Sequence, residues 1–344
     1  MIVRGAMQGN GEDRANITSL PSTARAEGQA SPFHRAEWFD LLTQHGFAGA
    51  GRFDVHGECG AATAWLPLRI EKPGHFAGLT NWYSFSIRPL YAGPPHPGER
   101  GTALVRLFDN LRPRAARLTL YPVPAIDDLP DSMIHALRRA GWWVRSTPIG
   151  DRHWLDLVGM DHDGWWESRP GMLKSTVRRK TKKGVVDISI ETDFDPQSWA
   201  AYEHIYAASW KPEEGDPTLL RAFAEAESAR GTFRMGLARI ASKPVAAQFW
   251  TVEDGTAFIH KLAHVEDSQK ASPGTLLSAA LFRHVITADR VQRVDFGTGN
   301  DAYKRDWMNR HDPLWCIEAF NPSRIAAWGP ALRAFVRSMA RKKP

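Results

Sequence analysis

The chain has 344 residues, 43% hydrophobic and 24% charged, with 44 Lys+Arg against 38 Asp+Glu and a formal net charge of +6. That length predicts about two domains, each able to bury a core, and the composition excludes a mostly disordered chain. Two cysteines, Cys59 and Cys316, exclude a disulfide framework and a cysteine-built zinc site, which makes a reducing cytoplasm the expected location.

Residues 1–30, rich in Gly, Ala, Ser, Thr and charge, read as a disordered leader. Ser31-Pro32 reads as an N-cap followed by Pro at the first helical position, opening a helix over Phe33–Gln44. Strands Gly51–Val55 and Ala62–Ile70 flank a turn at Gly57–Gly60. A helix Thr102–Leu111, a strand Arg117–Tyr121, a helix Asp131–Ala140 and strands Trp142–Ser146 and His153–Val158 complete a mixed α/β unit over residues 31–160.

A second unit over 161–320 has the same plan with longer elements. A basic helix Gly171–Lys183 leads to a strand Val186–Glu191 and helices Gln197–Trp210 and Pro217–Ala229. Strands Phe233–Ile240, Val245–Glu253 and Thr256–Ala263 are joined by tight-turn residues and should be antiparallel. A helix from Pro273 to Ala288, a strand Arg293–Phe296, a helix Ala302–Arg310 and a strand Leu314–Phe320 follow, and residues 321–344 read as a basic C-terminal helix. No stretch reaches the ~18–20 apolar residues of a spanning helix, so membrane contact is expected to be peripheral at most.

Several groupings carry chemistry, each beside a structural reading. Gln269-Lys270-Ala271-Ser272-Pro273-Gly274-Thr275 joins a strand to an amphipathic helix, where small residues and unpaired N–H groups suit phosphate oxygens; it could equally be an ordinary helix start. Asp295 ends a strand and Tyr303-Lys304 follow; they can move a proton and hold an anion, or cap a loop and pack. Trp210-Lys211 ends a helix. In His260-Lys261 one residue should face away from Phe258 and Leu262, with Lys261 the odd member of the apolar alternation. Arg178–Lys183 carries five cations in six positions and suits an anionic substrate, an acidic lipid surface or RNA, or is a solvated helix end. Gly297-Thr298-Gly299-Asn300-Asp301-Ala302 matches a dinucleotide fingerprint but stands too near the end of the sequence for a two-half nucleotide sheet. Asp161-His162-Asp163 reads as a loop, and no metal site is expected.

In order, Ser209-Trp210-Lys211, Lys243-Pro244-Val245-Ala246-Ala247, Lys261, Ser272-Pro273-Gly274 and Asp295-Phe296-Gly297…Tyr303-Lys304 resemble the GNAT acetyltransferases of the CelD/BcsL type. That family is named for bacterial cellulose biosynthesis and is similar to the FemAB peptidyltransferases, with their tandem GNAT-like domains. The resemblance implies two GNAT-like α/β domains: a degenerate one over 31–160, where Pro97–Gly101 puts a carboxylate at the phosphate loop, and a catalytic one over 161–320. It implies acetyl-CoA or another acyl-CoA donor on Gln269–Thr275, although Ser272 replaces the middle glycine of the family's loop. The acceptor would be a small molecule or glycan precursor of the cell envelope, bearing an amine or hydroxyl. His260 or Asp295 would serve as general base, strand N–H groups near Ala263 would meet the oxyanion, and Tyr303 would protonate the departing thiolate. Trp210, Lys211, Lys261 and Lys304 would orient an anionic acceptor. A FemAB-like transfer from aminoacyl-tRNA, with the basic helix on RNA, and a non-catalytic ligand-binding protein are the alternatives.

Overall fold

The computed structural model describes residues 20–26, 30–93, 96–299 and 302–340; most of the expected leader, and Asn300-Asp301, lie outside them. The first half runs β1 (Arg25–Ala26), α1 (Ala36–Leu41), β2 (Arg52–Cys59), β3 (Ala62–Lys72), β4 (His75–Gly78), β5 (Leu90–Ala92), α2 (Pro97–Leu111), β6 (Arg117–Pro124), α3 (Leu129–Arg139) and β7 (Trp143–Asp156). The second runs α4 (His162–Glu167), α5 (Gly171–Lys183), β8 (Asp187–Glu191), α6 (Pro196–Ala207), α7 (Pro217–Ala229), β9 (Phe233–Ile240), β10 (Lys243–Glu253) and β11 (Thr256–His264). It closes with α8 (Pro273–Thr287), β12 (Arg293–Thr298), α9 (Lys304–Trp307), β13 (Arg310–Phe320) and α10 (Ile325–Ala340).

Helix starts follow local chemistry. The Asp195 and Asp216 carboxylates accept from the Ser198 and Leu219 N–H groups at 2.7 and 3.0 Å, each with Pro at the first helical position. Four local readings change. Ser31 caps a short 3-10 turn, Pro32–His34, before α1 begins. Pro97–Gly101 is the first turn of α2, not a loop. Asp161 caps α4, accepting from Gly164 N–H at 2.8 Å, so Asp161–Asp163 opens a helix. The two strands expected between 142 and 158 are one, because β13 pairs along nearly all of it.

The strands form one mixed sheet, ordered β1-β5-β3-β4-β6-β13-β7-β12-β11-β10-β9-β8, with β2 on β3. The halves exchange strands: β13 lies between β6 and β7, antiparallel to both, and the far end of β7 pairs with β12. Beneath the first half, α2 and α3 cover one core; α2 can approach β2 because Gly57 has no side chain, since a Cβ there would stand 2.1 Å from Leu107 N. In the second half β10 is buried on both faces, Ala247 and Phe249 toward α6 and α7, Ala246 and Trp250 toward α8.

The segment between β4 and β5 crosses to the second half. Phe85 packs on Phe33 and Phe258 at ring separations of 4.6 and 6.3 Å, and Arg35 pairs with Glu227 and, at 3.3 Å, with Glu253. One aromatic core therefore spans both halves. Overpacking a tight contact typically costs about 1–3 kcal/mol, so Gly57→Ala should lower stability by that amount in urea melts. Gly98→Ala, in open space on α2, should leave it unchanged or slightly raised; equal effects would show that the α2–β2 contact yields freely.

Candidate active site

Two irregularities of β11 build the site. Its parallel pairing with β12 covers only Thr256–Phe258 against Arg293–Asp295, while β11 continues to His264, so the two strands part beyond that point. Ligand sites of α/β sheets gather at such openings beyond the carboxyl ends of strands. On its other edge β11 carries a bulge: Phe249 pairs with Lys261 and Trp250 with Ile259, leaving His260 as the extra residue. A bulge resets the alternation. His260 and Lys261 consequently both face the α6–α7 layer, and Leu262 and His264 face α8, correcting the expectation that one of the pair would turn away from Phe258.

Where β11 and β12 part lies a cavity of about 290 Å³, lined by Leu262 and His264 of β11, by Gln269 and Ser272–Thr275 with Ser278, by Trp210, and by Tyr303 with Trp307. Ser272 is left-handed (φ 57°), and no side chain caps the helix it opens. The first-turn N–H groups of such a helix lack intrahelical acceptors. A Cβ at Gly274 would lie 3.2 Å from His264 Nδ1, so glycine keeps the passage between them open. Gln248, buried in β10, donates to Gly274 O at 3.2 Å and Ser278 Oγ at 2.7 Å while accepting from Trp250 at 3.0 Å, which fixes the helix start on the sheet. The Lys180 ammonium donates to the Lys270 carbonyl, bringing the basic end of α5, with exposed Arg178, Arg179, Lys182 and Lys183, against this loop. Lys270 and Ala271 instead end a 3-10 helix, Glu266–Ala271, and do not line the cavity.

A second cavity, about 690 Å³, lies between α6 and α7 and is lined by Tyr202, Tyr206, Lys211, Glu213 and Glu214 among others. Trp210 and Lys211 thus stand on different cavities, the Trp210 ring 4.4 Å from that of His264 and the Lys211 ammonium 5.9 Å from that of Tyr206. Glu214 accepts from Lys261 at 2.7 Å, Tyr83 at 2.6 Å and Tyr202 at 3.0 Å. Burial lowers the Lys261 pKa, with Glu214 working against it. Burial also raises Tyr83 and Tyr206, the latter to about 12.

Three expected site residues serve the fold. His260 sits among the rings of Phe33, Phe85, Phe223 and Phe249, bonded to Thr251 Oγ1 at 2.8 Å; burial, then Lys261 and Arg35, lower its pKa to about 3, too acidic for a general base near neutrality. Asp295 is 1% exposed; one carboxylate oxygen accepts from Arg152 Nε at 2.8 Å and the other from Gly297 N–H at 2.9 Å. Lys304 is 4% exposed and donates to the Phe296 and Thr298 carbonyls at 3.3 and 2.6 Å, locking α9 to β12 instead of meeting an acceptor. His264, overlooked in the sequence, does line the cavity; burial and then Lys211 lower its pKa, which keeps it neutral at pH 7. Its one signal is its place two residues beyond Leu262 at a strand end.

The histidines make stability pH-dependent. His34, His75, His260 and His264 all have pKa values lowered by burial, so the unfolded chain binds more protons below about pH 6.5. Stability should be full above that value and fall as pH drops from 6.5 toward the folded values. His260→Phe should flatten the slope by about 1.4 kcal/mol per pH unit between roughly pH 6 and 4. Parallel curves for mutant and wild type in denaturant melts would mean that His260 titrates freely.

Residues 168–305 match the family described as Acetyltransferase (GNAT) domain. A comparison with curated protein sequences found no match. Among solved structures, the C-terminal DUF2156 domain of a candidate lysylphosphatidylglycerol synthetase from Agrobacterium fabrum superposes with a TM-score of 0.56 at 13% identity, over 88% of this chain and 96% of that one. FemX gives 0.56 at 9% identity, covering 84% and 96%. A tandem GNAT protein from the clavulanic acid biosynthesis pathway gives 0.51 at 14%, covering 86% and 91%. Such identities speak for a shared fold alone. The chain thus has the mixed α/β fold of tandem GNAT proteins, and its second half carries an acetyltransferase (GNAT) domain.

Proposed function

We propose that the protein moves an acyl group, acetyl in the simplest case, from acyl-CoA to an amine or hydroxyl of a cell-envelope or polysaccharide precursor, as in the CelD/BcsL type. Residues 161–320 are the catalytic unit in this reading, and 31–160 a degenerate copy that shapes the acceptor side. The observation that carries it is the gathering of an uncapped helix start, His264 and Tyr303 in one cavity where β11 and β12 part.

The site suits a phosphate-bearing thioester. The first-turn N–H groups of α8, the open passage at Gly274 and the cations of Lys270 and the α5 end favour the donor's phosphates. Acyl-CoA supplies an activated acyl group; the remaining tasks fall to side chains. His264, neutral and half-buried, takes the proton that the acceptor loses, replacing His260 and Asp295 in that role. Tyr303 returns a proton to the leaving thiolate. The edge of β11 released from β12 offers its N–H groups to the developing oxyanion. Trp210 and Lys211, between the two cavities, orient an anionic acceptor; Lys261 acts through Glu214 by holding the loop that carries them.

A second reading replaces the thioester by aminoacyl-tRNA. The observation in its favour is the basic end of α5 beside the donor loop, in a fold shared with FemX. RNA binding would weaken steeply with salt, whereas coenzyme A binding would respond far less.

Tyr303→Phe keeps the ring that packs on Phe296 at 5.6 Å and removes the hydroxyl. It should lower kcat about 10²-fold with little change in donor affinity or melting temperature. Gly274→Glu should weaken coenzyme A binding by more than about tenfold in calorimetry, since a carboxylate would stand against the phosphates. Full coenzyme affinity in folded Gly274→Glu would move the donor site elsewhere, and full activity in Tyr303→Phe would remove the general-acid role.

A further inference from the structure

The last helix carries an apolar stripe that the fold leaves uncovered. α10 rests on the end of β13 through small residues, Ala327, Ala331 and Ala334, buried with Phe320 and packed against Ala116. Away from that face, Ile325, Trp328, Leu332 and Val336 recur at three- and four-residue intervals, on one side of the helix. They are 83%, 54%, 67% and 49% exposed. Single exposed apolar residues are ordinary, but a continuous stripe of large ones is not.

Charge identifies what covers it. Residues 321–344 contain Arg324, Arg333, Arg337, Arg341, Lys342 and Lys343 and no Asp or Glu, so the preceding 320 residues balance at 38 Lys+Arg and 38 Asp+Glu. The whole formal net charge of +6 belongs to the segment that bears the stripe. Arg333 and Arg337, both exposed, each follow directly on a stripe residue. Trp328 donates its indole N–H to the Pro322 carbonyl at 2.9 Å while its ring stays half in solvent, the apolar-body, polar-edge arrangement favoured at membrane surfaces. RNA would use the cations and leave the stripe wet. An apolar protein groove would use the stripe and leave the cations unmatched. A bilayer with anionic headgroups satisfies both.

We propose that α10 is an interfacial anchor that seats this protein on anionic lipid surfaces, with Ile325, Trp328, Leu332 and Val336 at the acyl boundary and the arginines among the headgroups. No described helix is long and apolar enough to cross a membrane, so the contact is peripheral. The assignment is independent of the transfer chemistry.

The full chain is sedimented with phosphatidylcholine vesicles that contain or lack phosphatidylglycerol. Wild type should pellet with the anionic vesicles only. Arg333→Gln and Arg337→Gln should each weaken binding about fivefold, less so at high salt. Trp328→Glu with Leu332→Glu should abolish it, with the melting temperature nearly unchanged, because these side chains are exposed. Wild type remaining in solution with both vesicles, or binding that survives the double glutamate variant, would overturn the proposal. So would a concentration-dependent dimer that the double variant dissolves in the absence of any vesicle binding, since the stripe would then belong to a second copy.

Discussion

Two parallel strands that pair over three residues and then part set the conditions for everything around them. Beyond Phe258 and Asp295, β11 and β12 leave the sheet open, and the space between them cannot be filled by backbone. The start of α8 comes down beside it, α9 closes its other side, and the cavity lies between. A continuous ladder there would bring the strand edges to ordinary sheet spacing of about 5 Å and exclude any ligand. The opening also leaves one edge of β11 beyond Phe258 without pairing to β12 while β10 still holds the other edge.

The groups that hold this geometry are distinct from those that face the cavity, and burial separates them. Asp295 and Lys304 have their polar atoms satisfied internally, by Arg152, by the Gly297 amide and by two carbonyls. A buried charge so bound is costly to disturb, because removing one partner strands the other in a medium that cannot solvate it. Gln248 performs the same service for the first turn of α8 without carrying charge. By contrast His264 and Tyr303 line the cavity and keep part of their surface accessible. The first half contributes through its crossing segment: Tyr83 and Lys261 converge on Glu214 and fix the loop that bears Trp210 and Lys211. Exposed cations are likewise divided, one group at the α5 end beside the start of α8 and the other along α10.

Much of the secondary structure is legible in the sequence because its determinants are local. Asp216 before Pro217 and left-handed Gly184 after Lys183 set the ends of α7 and α5 within a residue or two of where neighbouring side chains dictate. The start of α8 is visible for the same reason: Pro273 after small residues is pre-organised for the first helical position. The order of its elements, and hence the doubled α/β plan, also follows from periodicity along the chain. Tertiary structure alone decides the rest. His260 and Lys261 look like alternating strand residues, and only the register against Phe249 and Trp250 reveals the bulge that turns both to one face. Asp295 reads as a base at a strand end until Arg152, 143 positions earlier, occupies it. The strand exchange of β7 and β13 is equally invisible, since nothing near residues 143–156 encodes a partner at 310–320. Backbone preference is set by adjacent residues, whereas solvation and proton affinity are set by whatever the fold packs against a side chain. The sequence therefore names the elements and where most of them begin, and the packed structure chooses which polar groups remain accessible.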